Sequence, residues 1–208
     1  MAELTRILGQ HFSSPLIVSV EPNSALWDKV IYSAKSDSNF VLARCALGTI
    51  PGTAFLETYA QNTDDSYNSN LSTLSSRPAF PEVAGYVKHS RLQVRVNTLD
   101  NLTESYDHQF IDVLKIDVEG YEPEVIKGGK KMLVSHSIGI IITEFSSILG
   151  KEAVSGSLTS IAKLLEPYGF IMVSVCTDYV THGLSTYANH NAIWVNPCAC
   201  IAASSSFA

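Results

Sequence analysis

The stretch Ile111–Gly120, IDVLKIDVEG, carries the most concentrated chemistry in this chain. An apolar, β-branched run (Ile111, Val113, Leu114, Ile116, Val118) is interleaved at its end with Lys115, Asp117 and Glu119, and a glycine follows. Buried parallel strands read this way when they deliver ionisable groups to their carboxyl ends, where open α/β sheets hold their ligands. Two further apolar runs finish in an acid: LIVSV before Glu21, and GIIIT before Glu144. In a parallel sheet all these ends share one rim. A carboxylate there can accept both vicinal hydroxyls of a ribose through charge-assisted bonds. Each acid taken singly could equally cap a following helix. Their repetition along one rim is what points to a polar small molecule.

The elements that must position these acids follow from periodicity. A helix is expected from about Tyr121 to Leu133, with Pro123 in its first turn and Gly128-Gly129 interrupting it. Residues 2–11 place Leu4, Ile7, Leu8 and His11 on one helical face. Leu16–Val20 reads as a strand, and Asn23 or Ser24 caps a helix to about Lys35 with the stripe Leu26, Trp27, Val30, Ile31. Strands are expected at Phe40–Leu47, Thr53–Thr58, Arg91–Thr98, Ile111–Asp117 and Ile138–Glu144, and a helix at Ser157–Pro167. Phe170–Cys176 and Asn191–Val195 read as an antiparallel hairpin at the sheet edge, joined by a loop over 177–190. His182 and His190 flank that loop, where a solvated histidine outweighs a substrate contact. Residues 59–90 are rich in Asn, Ser, Thr, Asp and Pro, and read as a surface insertion or a substrate lid. Short-spaced alternation of strand and helix is the signature of an α/β fold with a mostly parallel sheet and helices on both faces.

Size and composition set the frame. The chain has 208 residues, 46% of them hydrophobic and 16% charged, enough for one good core. A single domain over 1–197 with a small-residue tail at 198–208 is expected. A net charge of −6 argues against nonspecific nucleic-acid binding and against docking on an anionic membrane. No apolar run approaches the roughly eighteen residues of a membrane span, and the first residues lack a signal peptide's apolar core, so a cytoplasmic location is expected. Of the four cysteines, Cys45 and Cys176 lie in strand-like segments and are expected as buried free thiols. Cys198-x-Cys200 reads as an exposed, unpaired pair, and no metal site is expected from it. An uncovered sheet edge would favour a homo-oligomer.

VSVEPN at 18–23, VNTLDNL at 96–102, IDVLKIDVEGYEPEVIKGG at 111–129 and IIITEF at 140–145 together resemble the FkbM-type methyltransferase family. The resemblance runs from about residue 2 to residue 196. It implies a Rossmann-like fold, S-adenosylmethionine as methyl donor, and transfer to a hydroxyl oxygen of a sugar or other small molecule. Glu21, followed by Pro22, would hold the adenosyl ribose, and Cys45-Ala46-Leu47 would lie against the adenine. Asp117 and Glu119 would face the methyl-transfer centre, with Glu144 lining the pocket from the next strand. Asp117 is then the first choice for general base and Glu119 the second. Lys115 would keep an acid ionised or pair structurally with Glu119 or Asp112.

The chain departs from the family's pattern before residue 2. The family's first strand and its D-x-G-x-x-x-G turn, whose N–H groups approach the cofactor, are not in this sequence. Strands 16–20 and 111–117 are therefore expected either to pair directly or to leave a gap between them. Three readings stand: a working methyltransferase, a noncatalytic relative that binds a small molecule or protein, or another doubly wound protein whose rim acids are structural or bind a divalent metal.

Overall fold

The computed structural model describes residues 16–34, 39–61, 71–74, 86–106, 110–147, 157–182 and 185–199. Its first unit is a parallel pair, β1 (Ile17–Val20) and β2 (Phe40–Ala43), linked through a 3₁₀ turn at Ser24–Leu26 and helix α1 (Trp27–Ser33). Asn23 starts that turn: its side-chain oxygen accepts from the Ala25 N–H at 3.1 Å, satisfying a donor that a helix start leaves orphaned. Val18 and Val20 pack with Ala43, Cys45, Leu102 and Leu47.

The second unit comprises β3 (Ala46–Leu47), β4 (Gly52–Gln61), β5 (Leu71–Thr73) and β6 (Tyr86–Asn97), in the order β3-β6-β4-β5. Period-2 alternation on β6 buries Val94 and Val96 with Leu56 and Ala46. Arg91, Gln93 and Arg95 are exposed, as the sequence requires. On the outer side Arg91 covers the Phe55 ring at 4.0 Å, and Glu57 pairs with both Arg91 and Lys88.

The third and largest unit holds β7 (Ile111–Ile116), β8 (Ile138–Ser147), β9 (Ile171–His182) and β10 (Ser185–Val195), in the order β7-β8-β10-β9. The helices in this part of the chain are α2 (Leu99–Ser105), α3 (Glu122–Lys127), α4 (Lys130–Val134) and α5 (Leu158–Leu165). Ile116, Ile138, Ile141 and Trp194 of the sheet meet Val125, Ile126, Leu133, Ile161 and Leu165 of the helices in one core. Burying such aliphatic side chains stabilises by about 1.5–3 kcal/mol each. The Trp194 indole N–H, buried with them, donates to Thr143 Oγ1 at 3.0 Å. Gly128-Gly129 does break the helix, into α3 and α4. A Cβ on Gly128 would lie 2.1 Å from the Gly48 carbonyl oxygen, so glycine alone lets the end of α3 meet the turn after β3.

Several expectations need correction. The sheet is not mostly parallel: the described strands form three sheets, with parallel pairing at β1–β2, β3–β6 and β7–β8 and antiparallel pairing elsewhere. One antiparallel pair, β9–β10, follows from its connection, because two residues between His182 and Ser185 leave no room for a crossover. The direct pairing foreseen for β1 and β7 is not found: among the described residues β1 pairs only with β2, and β7 only with β8. The 177–190 segment is no loop, since β9 and β10 extend into it and pair from Ser185↔His182 to Val195↔Ile171, with a register shift between Ile193 and Trp194. Phe40–Leu47 is two strands, broken at Arg44-Cys45.

Helix α2 was not foreseen. Its start is legible in retrospect, for Thr98 Oγ1 accepts from the Asn101 N–H at 3.1 Å. Cys45 is buried, but Cys176 is exposed, because β9 is an edge strand that leaves Ile171, Met172, Val173 and Val175 exposed as well. The expected 2–11 helix, Cys200, and insertion residues 62–70 and 75–85 lie outside the described residues. The insertion's described residues belong to β4, β5 and β6, apart from Leu74.

Candidate functional site

β7 and β8 are adjacent and parallel, with Ile116 beside Thr143. The residues that follow these two therefore lie side by side, Asp117 just past the end of β7 and Glu144 within β8, which continues to Ser147 and not, as expected, only to Glu144. Glu119 comes from the turn just past β7, held in a left-handed conformation at φ 54°, with Gly120 at φ 92°. A non-glycine residue there carries strain, and two contacts hold it. The Glu119 carbonyl accepts from Thr73 Oγ1 of β5 at 2.9 Å. Glu122, 1% exposed, accepts from the Val118 and Gly120 N–H groups at 3.2 Å each through Oε1.

The result is a cluster in which one carboxylate oxygen each from Asp117, Glu119 and Glu144 lies within 4.8 Å of the others. Asp117 is ion-paired with Lys115 and accepts a hydrogen bond from the Glu144 carboxyl, the proton lying on Glu144, the weaker acid. Burial alone would raise Asp117, but the Glu144 hydrogen bond and the Lys115 charge outweigh it and hold Asp117 below the ordinary aspartate range. Glu119 is pushed up to about 8, first by burial and then by the charges of Asp117 and Glu122. Glu144 is pushed up to about 9 by burial, by the Asp117 charge and hydrogen bond, and by Glu119 and Glu122. Burial also raises Glu122, against its backbone hydrogen bonds.

These shifts fix a pH dependence of stability. A carboxyl whose folded pKa exceeds its ordinary value of 4.5 stabilises fully below that value, and the contribution is lost as pH rises through the folded pKa. Asp117 acts in the opposite sense, losing its contribution as pH falls through its depressed pKa. The thermal midpoint in cation-free buffer is expected to be highest near about pH 5 and to fall towards pH 9. A Glu119→Gln, Glu144→Gln double variant should flatten the alkaline limb. A profile that rises from pH 5 to 9 would contradict this electrostatic picture.

Glu21 stands outside the cluster, after β1 in a separate sheet. Its Oε1 accepts from the Asn23 N–H at 2.7 Å, its carbonyl accepts from the Trp27 indole at 2.9 Å, and burial raises its pKa. Capping is therefore one of its jobs. Pro22 follows it in the same turn. Ala46 is buried and Leu47 half-buried, Leu47 touching the cores of both the first and third units. His190 sits on β10 instead of a loop, stacked on Phe145 at 4.8 Å between ring centroids, with Nδ1 2.7 Å from Thr177 Oγ1.

Three contributors escaped the sequence reading. Glu122 is an acid in a helix's first turn, a common surface pattern that gave no hint of burial. Thr73 comes from a compositionally mute segment. Asn191 is paired directly opposite Glu144 in the β8–β10 register, which puts both side chains on one face. Its Oδ1 is buried without a hydrogen-bond partner.

No helix among the described residues is long and apolar enough to cross a membrane. No curated protein matches the chain. The family model of the methyltransferase FkbM domain matches residues 2–172, most of the sequence and all of the acids discussed above. The chain belongs to the FkbM methyltransferase domain family.

Proposed function

We propose that this chain is a methyltransferase that uses S-adenosylmethionine to methylate a hydroxyl oxygen of a sugar or another small molecule. The observation that carries the reading is the meeting of Asp117 and Glu119, just past the end of β7, with Glu144 of the adjacent parallel strand β8, within a domain of a methyltransferase family. The residues after β1 fit the donor's ribose. Glu21 offers a carboxylate with only one oxygen engaged by the turn, and Asn23, fully buried, has an Nδ2 with no hydrogen-bond partner. An acceptor beside an orphaned donor is what a diol edge satisfies. Ala46 and Leu47 supply apolar surface for a flat base.

When bound, S-adenosylmethionine supplies an electrophilic methyl carbon, which passes to the acceptor oxygen as the carbon–sulfur bond breaks. The chain's own task is alignment and removal of one proton. Asp117, ionised beside Lys115, takes the hydroxyl proton. Glu119, its backbone pinned by Thr73 and Glu122, and Glu144 on the neighbouring strand orient the acceptor. Calorimetric titration tests the reading: saturable heat with S-adenosylmethionine is expected, and Glu21→Ala should weaken binding by about 10–100-fold, the worth of a hydrogen bond to a charged group. A wild-type chain that gives no saturable heat would overturn it.

A further inference from the structure

One edge of the largest sheet is apolar where strand edges are ordinarily blunted by charge, proline or shortness. Among the described residues β9 pairs only with β10. It runs for twelve residues, and its first seven, IMVSVCT from Ile171 to Thr177, hold neither a charge nor a proline. The register with β10 skips Val173, a bulge, and that side chain is 58% exposed. Exposure lies on both faces of the strand. Ile171 sits beside Val195 on one face, and Met172 and Val175 sit beside Trp194 and Ala192 on the other. These three are 57%, 42% and 42% exposed, and Ser174 and Cys176 are exposed as well. A helix laid on one face would cover only part of this surface. A strand added in the plane of the sheet covers both sides of it.

We propose that β9 is a self-association edge: two copies of this chain pair β9 antiparallel across a two-fold axis at Ser174, joining two four-stranded sheets into one of eight. The axis follows from charge. Centred there, Ile171 meets Thr177 of the second copy, Met172 meets Cys176, and Val173 meets Val175. The first acid, Asp178, falls opposite Phe170, beyond the apolar run. No like charges are then opposed, although each copy carries a net charge of −6. An uncharged run also offers a foreign peptide no ion pair to be recognised by, whereas a second copy brings an identical, self-complementary edge. Area sets the strength. The four aliphatic side chains expose roughly 300–400 Å² per copy. With Ser174, Cys176 and the two backbone edges, pairing buries roughly 1,000 Å² in total, where specific interfaces begin. Association is therefore weak, with Kd of about 10⁻⁶–10⁻⁴ M. It is independent of the methyl-transfer reading, for β9 lies at the edge opposite β7.

Sedimentation velocity of the full chain from about 1 to 500 μM tests this, and a monomer–dimer equilibrium within that range is expected. Val173→Lys and Val175→Glu, both at exposed positions, should each weaken association at least tenfold and leave the thermal midpoint unchanged. An equimolar mixture of the two variants should associate at least threefold more tightly than either alone, because the axis sets the introduced lysine against the introduced glutamate. A variant that merely misfolds gains nothing from mixing. A wild-type chain that stays monomeric at the highest concentration would overturn the proposal. So would a dimer indifferent to both substitutions, or a mixture no tighter than its components.

Discussion

Asp117→Asn is expected to lower turnover by roughly 10²–10⁴-fold, the usual worth of a positioned proton acceptor. Affinity for S-adenosylmethionine should change less than about threefold, because the donor's ribose is assigned to Glu21 in a different sheet. The replacement keeps shape and can still hydrogen-bond to Glu144, so the loss reports charge and basicity and not collapse of the turn. The measurement is kcat, read as S-adenosylhomocysteine formed with the fastest acceptor in a panel of sugar and other small-molecule hydroxyls. Retention of more than a tenth of the wild-type rate would remove Asp117 from the role of base. Glu119→Gln provides the contrast: if it alone loses the rate, the proton goes to the second carboxylate.

Glu122→Ala is expected to cost about 2–4 kcal/mol of stability, read as a lower urea midpoint with unchanged slope. The buried carboxylate holds two backbone N–H groups, of Val118 and Gly120, and both would lose their acceptor in a half-buried turn. Strain adds to the loss, since Glu119 is kept at φ 54° by surroundings that Glu122 helps to supply. Glu122→Gln retains the acceptor oxygen and should recover most of the stability. Equal destabilisation by both variants would show that the charge, and not the hydrogen-bond geometry, supports the turn.

The parts of this molecule that were legible in sequence are those where one residue type has one physical use. KIDVEG announced a strand ending in acids, and the structure joins Asp117, Glu119 and Glu144 in one cluster. Gly128-Gly129 announced a helix break, required by the approach of the Gly48 carbonyl. Asn23 announced a helix start, and its side chain caps; Ser157, read as the first residue of its helix, is the cap before it. What failed were inferences about pairing. Whether a strand lies beside a parallel or an antiparallel neighbour depends on connections across the chain, and 177–190 reads as polar loop although it is two paired strands. Glu21 was half legible, because a strand-end carboxylate reads alike whether it caps a turn or awaits a ligand, and the structure shows the capping contact, from the Asn23 N–H to Oε1. Glu122 and Asn191 were illegible because burial of a polar group is decided by packing that no local pattern encodes.

The hydrogen bond from Thr73 to the Glu119 carbonyl ties a three-residue strand, reached only through the polar excursion, to the strained corner of the acidic rim. Thr73 itself is 3% exposed, so the tie is shielded from competition by solvent. That strand thereby becomes a tether for Glu119: any change that lifts it from the corner would let the carboxylate swing away from its two companions.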